Sequence, residues 1–329
     1  MKFIKSILCV IEPDHCDTET LTRALKLAEG QQSALKVVTV VEHVNRCSTA
    51  LLPGLSSAEI QQSLLENAKR RLQRCVASLH CWQHLETEVM IGVPFLEIIR
   101  EVEKNGHDLV IKAAESNDFI ERMLGSEDKH LLRKCPCPVL MLKPGVASEF
   151  RHILAAVDIS DKYPDNELTV RQELNRRTLQ LATTLALSEF AQLSVIYAWH
   201  TEGESLLDSG FGRISDDEIN DHLADVQRRY EDAMDALMHD VFHHLKKEAF
   251  DFLKPQRFLV KGNPRREIPN QAELLNSDVV VMGTVARTGI PGFIIGNTAE
   301  TILDRLDHSV LALKPAGFES PVRLNKGDD

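Results

Sequence analysis

The amino-acid sequence predicts an α/β protein made of two copies of one parallel-sheet domain. Three observations carry that expectation. Short apolar runs alternate with helical patterns, as they do where parallel strands are joined by right-handed crossovers. Runs such as Val279-Val280-Val281-Met282 lack polar alternation, which fits strands covered by helices on both faces. The second half also repeats the first in order. Ser6-Ile7-Leu8-Cys9-Val10-Ile11-Glu12 is answered by His152-Ile153-Leu154-Ala155-Ala156-Val157-Asp158, each an apolar run ending in an acid. Gly92-Val93-Pro94 is answered by Gly262-Asn263-Pro264, and His107-Asp108-Leu109-Val110-Ile111 by Ser277-Asp278-Val279-Val280-Val281. Pro138-Val139-Leu140-Met141-Leu142-Lys143-Pro144 is answered by Ser309-Val310-Leu311-Ala312-Leu313-Lys314-Pro315.

In the first copy the apolar runs place strands near 3–12, 34–41, 85–91, 108–113 and 138–142. Helices fall near 17–30, 58–82, 95–105 and 126–134. In the second copy strands fall near 152–158, 192–199, 256–261, 278–283 and 309–313, with helices near 165–188, 215–249, 266–276 and 297–307. The turn-rich stretch Pro144-Gly145-Val146-Ala147-Ser148 reads as a linker. The expected domains are therefore 1–144 and 150–315, followed by a polar tail at 316–329 that should fray. The second copy is the longer, with its extra residues around 160–175 and 200–245. Within them, Gly203 to Ser215 reads as a mobile loop over the carboxyl edge of the sheet.

The chain has 329 residues, of which 43% are hydrophobic and 26% charged, a soluble globular composition sufficient for two cores. Its net charge of −11 argues against bulk nucleic-acid binding and against an anionic membrane surface. No apolar run is long enough to span a bilayer, and Ile7 to Ile11 is too short for a signal-peptide core. A cytoplasmic protein is expected. The seven cysteines, Cys9, Cys16, Cys47, Cys75, Cys81, Cys135 and Cys137, all lie in the first half. Their odd number and one-sided placement suit reduced thiols better than a disulfide scaffold.

The stretch from Val281 to Glu300 carries the main functional signal. A buried strand runs into a loop containing Gly283, Gly289, Gly292 and Gly296, and the loop runs into a helix. Asn297 or Thr298 suits the helix N-cap, and Glu300 its first turn. Free N–H groups and the helix dipole there favour an anion, and glycine lets backbone approach a phosphate. On spacing alone, a turn that needs glycine only for its dihedrals fits equally well.

With Ile-Leu-x-Ala-Val-Asp at the start of the copy, Gly-x-Pro after its third strand and a Pro/Ser-Val-Leu-x-Leu-Lys ending, this loop resembles the Gly-x2-Gly-x9-Gly-Ser/Thr signature of the universal stress protein family, and the resemblance covers both halves of the chain. The resemblance implies two tandem doubly wound parallel five-stranded sheets of order 3-2-1-4-5 in a pseudo-two-fold arrangement. It also implies a nucleotide site where strands 1 and 4 diverge. Carried onto this sequence, the nucleotide-binding residues are Asp158, Gly283, Thr284, Ala286, Arg287, Gly296, Asn297 and Thr298. Ala286 stands where the signature has its second glycine, and Asn297 where it has Ser or Thr. Lys261, Arg265 and Arg266 are further phosphate candidates at the same edge, with solvated surface charge as the plainer reading.

The first copy keeps only Gly125-Ser126 of the signature, places Glu115 and Asp118 in the loop, and has Glu12 in place of the aspartate. It reads as a degenerate domain. The resemblance implies a stress-response binding and signalling protein, active in survival that includes DNA damage, with an adenine nucleotide (ATP, with Mg²⁺, or AMP) in the second domain. The alternatives are a slow ATP hydrolase of the same fold, a scaffold without nucleotide, and a small-ligand sensor. No catalytic set stands out, and the lysine of a Walker loop is missing. Weak metal candidates are His80 with His84, Cys135 with Cys137, and His239 with His243, with zinc as the ion they favour. The plainer reading is half-exposed helix histidines and small buried thiols. The last strands of the two copies are expected to pair internally, as the subunits of single-domain relatives do, which leaves further homo-oligomerisation optional.

Overall fold

A computed structural model describes residues 4–44, 55–79, 85–114, 126–145, 149–200, 216–284 and 296–323. The chain forms β1 (Ser6–Val10), α1 (Thr18–Gln31), β2 (Ala34–Val41), α2 (Ser57–Ala77), β3 (Glu86–Ile91), α3 (Pro94–Asn105), β4 (Leu109–Ala113), α4 (Ser126–Lys134) and β5 (Val139–Leu142). It continues with β6 (His152–Ala156), α5 (Asp165–Glu189), β7 (Gln192–Trp199), α6 (Asp216–Phe242), α7 (Lys247–Leu253), β8 (Gln256–Lys261), α8 (Pro264–Leu274), β9 (Val279–Gly283), α9 (Asn297–Arg305) and β10 (Ser309–Leu313).

Two compact units result. The described residues of Met1–Glu149 and Asp307–Asp329 build the first, and those of Phe150–Thr288 and Gly296–Leu306 the second. In the first unit β1 pairs in parallel with β2 and β4, β2 with β3, and β4 with β5, giving the order 3-2-1-4-5. In the second unit β6 pairs in parallel with β7 and β9, and β7 with β8, so the first four strands repeat the order 3-2-1-4. β10 ends the second copy in sequence but belongs to the first unit, where it runs antiparallel to β5 with Leu311 opposite Leu140. Strand centres are closed to water on both faces: Ile7, Val110, Ile111, Leu154, Val280 and Val281 are fully buried.

Two echoed motifs turn out to be fold devices. Asp108 Oδ2 accepts from the backbone N–H groups of Lys5 (2.7 Å) and Ser6 (3.1 Å). Asp278 Oδ2 does the same for Arg151 (2.6 Å) and His152 (2.8 Å). Each aspartate thereby ties strand 4 to the entry of strand 1. Gly92 and Gly262 have φ of 150° and 153°. The dihedral strains any other residue there, and a Cβ at either would also have to displace the Glu97 or Glu267 side chain, which it would meet at 2.5 or 2.6 Å.

Three expectations are corrected. The helix anticipated over 215–249 is two helices, α6 and α7. The first ends in a turn where Leu245 N–H donates to Phe242 O, and Lys246, extended at ψ 149°, caps the second. Ending the helix lets Leu253 bury before β8 begins. The N-cap of α9 is Gly296, with Asn297 already helical and no side chain bonding the cap. The thiols are not all reduced: Cys16 and Cys75, 59 residues apart, form a disulfide with Cα atoms 5.5 Å apart. Spacing between cysteines cannot reveal such a pairing.

Candidate functional site

In a doubly wound sheet, ligands bind beyond the carboxyl ends of the strands, where the strand order reverses. In the second unit that point lies between β6 and β9, and Asp158 follows β6 at this edge. Its backbone is fixed by Asn175 of α5: Asp158 N–H donates to Asn175 Oδ1 at 2.9 Å, and Asn175 Nδ2 donates to Asp158 O at 2.7 Å. Its carboxylate is engaged. Oδ1 accepts from Ser160 N–H at 3.3 Å. Oδ2 accepts from Tyr163 O–H and Arg171 Nη1, both at 2.8 Å. The Arg171 guanidinium lies 3.5 Å from the centre of the Tyr163 ring, a cation–π contact, and also reaches Glu167 at 3.8 Å. Burial, and then Asp158 itself, push the Tyr163 phenol up, so it stays a donor. The Asp158 side chain remains 40% exposed.

Gly283 ends β9 and Thr284, fully buried, follows it. Thr284 O accepts from Gly296 N–H at 3.3 Å, which brings the strand end to the start of α9 and holds Asn297 and Thr298 there. A Cβ on Gly283 would lie 2.5 Å from Leu174 Cδ2, because α5 packs its side chain against this glycine. Thus Asp158, Gly283, Thr284, Gly296, Asn297 and Thr298 gather at one edge, while Ala286 and Arg287 lie outside the described residues, as does Gly203 to Ser215. Of the other basic candidates, Arg266 is held by Glu267 at 2.8 Å, and Lys261 and Arg265 flank the end of β8.

The same edge of the first unit is closed by charge. Lys112 of β4 registers with Val10 of β1, just as Met282 registers with Ala156. Its ammonium, 3% exposed, contacts Glu12 at 2.7 Å and the fully buried Asp128 of α4 at 2.9 Å. Sequence reasoning missed Lys112, although a lysine continuing the apolar run Leu109-Val110-Ile111 was a readable signal. Glu115 and Asp118 lie outside the described residues.

Among the described residues no group of three or more His, Cys, Asp or Glu side chains could hold a metal. His239 and His243 stack at 5.4 Å, with His243 Nδ1 2.9 Å from the carbonyl of His239, so that ring nitrogen is taken up by the helix itself. Cys135 and Cys137 sulfurs stand 3.6 Å apart, and hydrogen bonding to Cys135, followed by burial, keeps the Cys137 thiol protonated. His80 and His84 lie outside the described residues. Among the described residues no helix is long and apolar enough to cross a membrane.

The model of the universal stress protein family matches residues 4–143 and again 149–314. The chain belongs to the universal stress protein family. It is 29% identical to universal stress protein E of Escherichia coli (strain K12), with both chains covered in full. It is 28% identical to the universal stress protein E homolog of Haemophilus influenzae, covering 96% of this chain and 99% of that one. Among solved structures, a functionally unknown protein of Pseudomonas aeruginosa PAO1 superposes with a TM-score of 0.65 at 28% identity, over 95% of this chain and 94% of that one. A universal stress protein of Archaeoglobus fulgidus DSM 4304 shares the fold, with a TM-score of 0.55 at 17% identity over 93% of this chain and 98% of that one. As a tandem universal stress protein, the chain carries two edges of one ancestral design that have been filled in different ways.

Proposed function

We propose that the protein is a cytoplasmic stress-response binding and signalling module whose second unit takes an adenine nucleotide at the edge formed by Asp158, Gly283, Thr284, Gly296, Asn297 and Thr298. The observation that carries this reading is the contrast between the two edges. At the first, a buried lysine is locked between two acids. At the second, the equivalent acid is no more exposed than Glu12 but is held instead by Tyr163 and Arg171, side chains that a ligand can displace. The α9 terminus beside it has no side-chain cap, so its first N–H groups and the helix dipole face an incoming phosphate favourably. Ala286 and Arg287 complete the loop in this proposal. Asp158 is engaged by Arg171 and Tyr163, so Mg²⁺ would enter on the phosphates of ATP rather than on this carboxylate. Binding then releases Arg171 from Asp158 and frees the first turns of α5, which turns occupancy into a changed surface. Protection against DNA damage would be a downstream consequence of that signal.

A second reading is favoured by Leu174, which fills the space over Gly283. In that version the edge is shut and the protein is a scaffold. Titration calorimetry with ATP and Mg²⁺ separates the two. The nucleotide reading expects one site per chain, lost in Asp158→Ala, and phosphate release then tests for slow hydrolysis. Silence at millimolar ATP supports the scaffold.

A further inference from the structure

We propose that the Cys16–Cys75 disulfide is a redox-operated latch on α2, opened by a dithiol reductant. It stands apart from the nucleotide reading, because both cysteines belong to the first unit. The bond joins the segment before α1 to the last turns of α2 across 59 residues of chain. Its two ends differ in access. Cys16 is exposed, whereas Cys75 is 1% exposed. The other cysteines among the described residues are free thiols, and burial, followed by the charge of Asp17, holds the Cys9 thiol protonated and inert.

The helix that the bond restrains is weakly held otherwise. Only Ile60, Ala68, Leu72 and Cys75 of the 21 residues of α2 are buried. Beyond these, Gln61 near its start accepts from Val44 N–H at 2.8 Å and donates to Glu42 O at 3.3 Å, while toward its end Arg71 reaches Asp14 Oδ1 at 3.1 Å and Asp14 O at 3.0 Å, on exposed surface where such contacts contribute little. Beneath α2 lies a small cleft at the carboxyl edge of β1 and β2, lined by Glu12, His15, Thr39, Arg71, Leu72 and the disulfide. The Thr39 hydroxyl is buried there without a hydrogen-bond partner. A buried hydroxyl left unpaired disfavours the closed state and would gain water if α2 lifted. The disulfide therefore holds shut a cleft that contains an unsatisfied polar group.

The exchange balances. A thiolate of the reductant attacks the exposed Cys16 Sγ, and the bond to Cys75 breaks with its electron pair on Cys75 Sγ, which takes a proton. The second thiol of the reductant, deprotonated, attacks the mixed disulfide and releases Cys16 as thiolate. Two electrons pass to the protein, and the reductant leaves as its own cyclic disulfide.

The test uses the full chain equilibrated in oxidised or in reduced dithiothreitol. Peptide mapping after alkylation should find the Cys16–Cys75 peptide in the first and free Cys16 and Cys75 in the second. Hydrogen exchange over 60–77 should be at least about tenfold faster in the reduced protein. Cys16→Ser, a change at an exposed position, should give the fast exchange in both buffers. Absence of the linked peptide in oxidised dithiothreitol, a bond that survives reduced dithiothreitol in the native protein, or equal exchange in both buffers would each overturn the proposal.

Discussion

At Lys112, burial alone would drive the ammonium to lose its proton, but the charges of Asp128 and Glu12 outweigh it and the net shift is upward. The three groups act as one unit. Removing Asp128 leaves a buried, half-compensated cation. Asp128→Ala should therefore cost about 3–5 kcal/mol in urea unfolding of the first unit, whereas Lys112→Met with Asp128→Leu, which copies the methionine of the second copy, should come close to the wild type. Lys314 behaves oppositely. Burial pushes it down to about 7 although Cys135 nearby pulls the other way, and its amine donates to Leu132 O at 2.6 Å. The unfolded chain keeps that proton up to 10.5, so between about 7 and 10.5 the unfolded state binds more protons and stability rises with pH. Lys314→Met should flatten that rise without loss at neutral pH, as read from urea midpoints at both ends of the window. None of these pairings was legible in sequence. Lys112 and Asp128, like Asp158 and Arg171, meet only once a helix has been laid on the sheet.

The elements themselves were largely legible, because period and burial speak locally. The ten strands fall where the apolar runs place them, and the Gly-x-Pro phrases mark two positions that only glycine fits. The turn between α6 and α7 was not legible, since 239–249 holds no proline or glycine to announce it. Nor was the seat of Leu174 on Gly283, which depends on how α5 crosses β9. That contact is testable. Gly283→Ala should cost about 1–3 kcal/mol by overpacking. In a Leu174→Ala background the same change should cost much less, so a double-mutant cycle by urea unfolding should give a clear coupling. Equal costs in both backgrounds would mean that Leu174 does not set the space there.

Across the whole chain, two copies of one fold carry different side chains at their carboxyl edges: Lys112 with two acids in the first unit, Asp158 with Tyr163 and Arg171 in the second. The sequence announced the divergence through the loss of glycines from the first copy, but not the ion pairs that replaced them. The central claim is that nucleotide binds at the second edge and not at the first. Hydrogen exchange with and without saturating ATP and Mg²⁺ tests it most directly. The account predicts slower exchange in peptides covering 156–175 and 282–300, with none in those covering 9–16 and 109–114. Unchanged exchange throughout, or protection confined to the first unit, would contradict it.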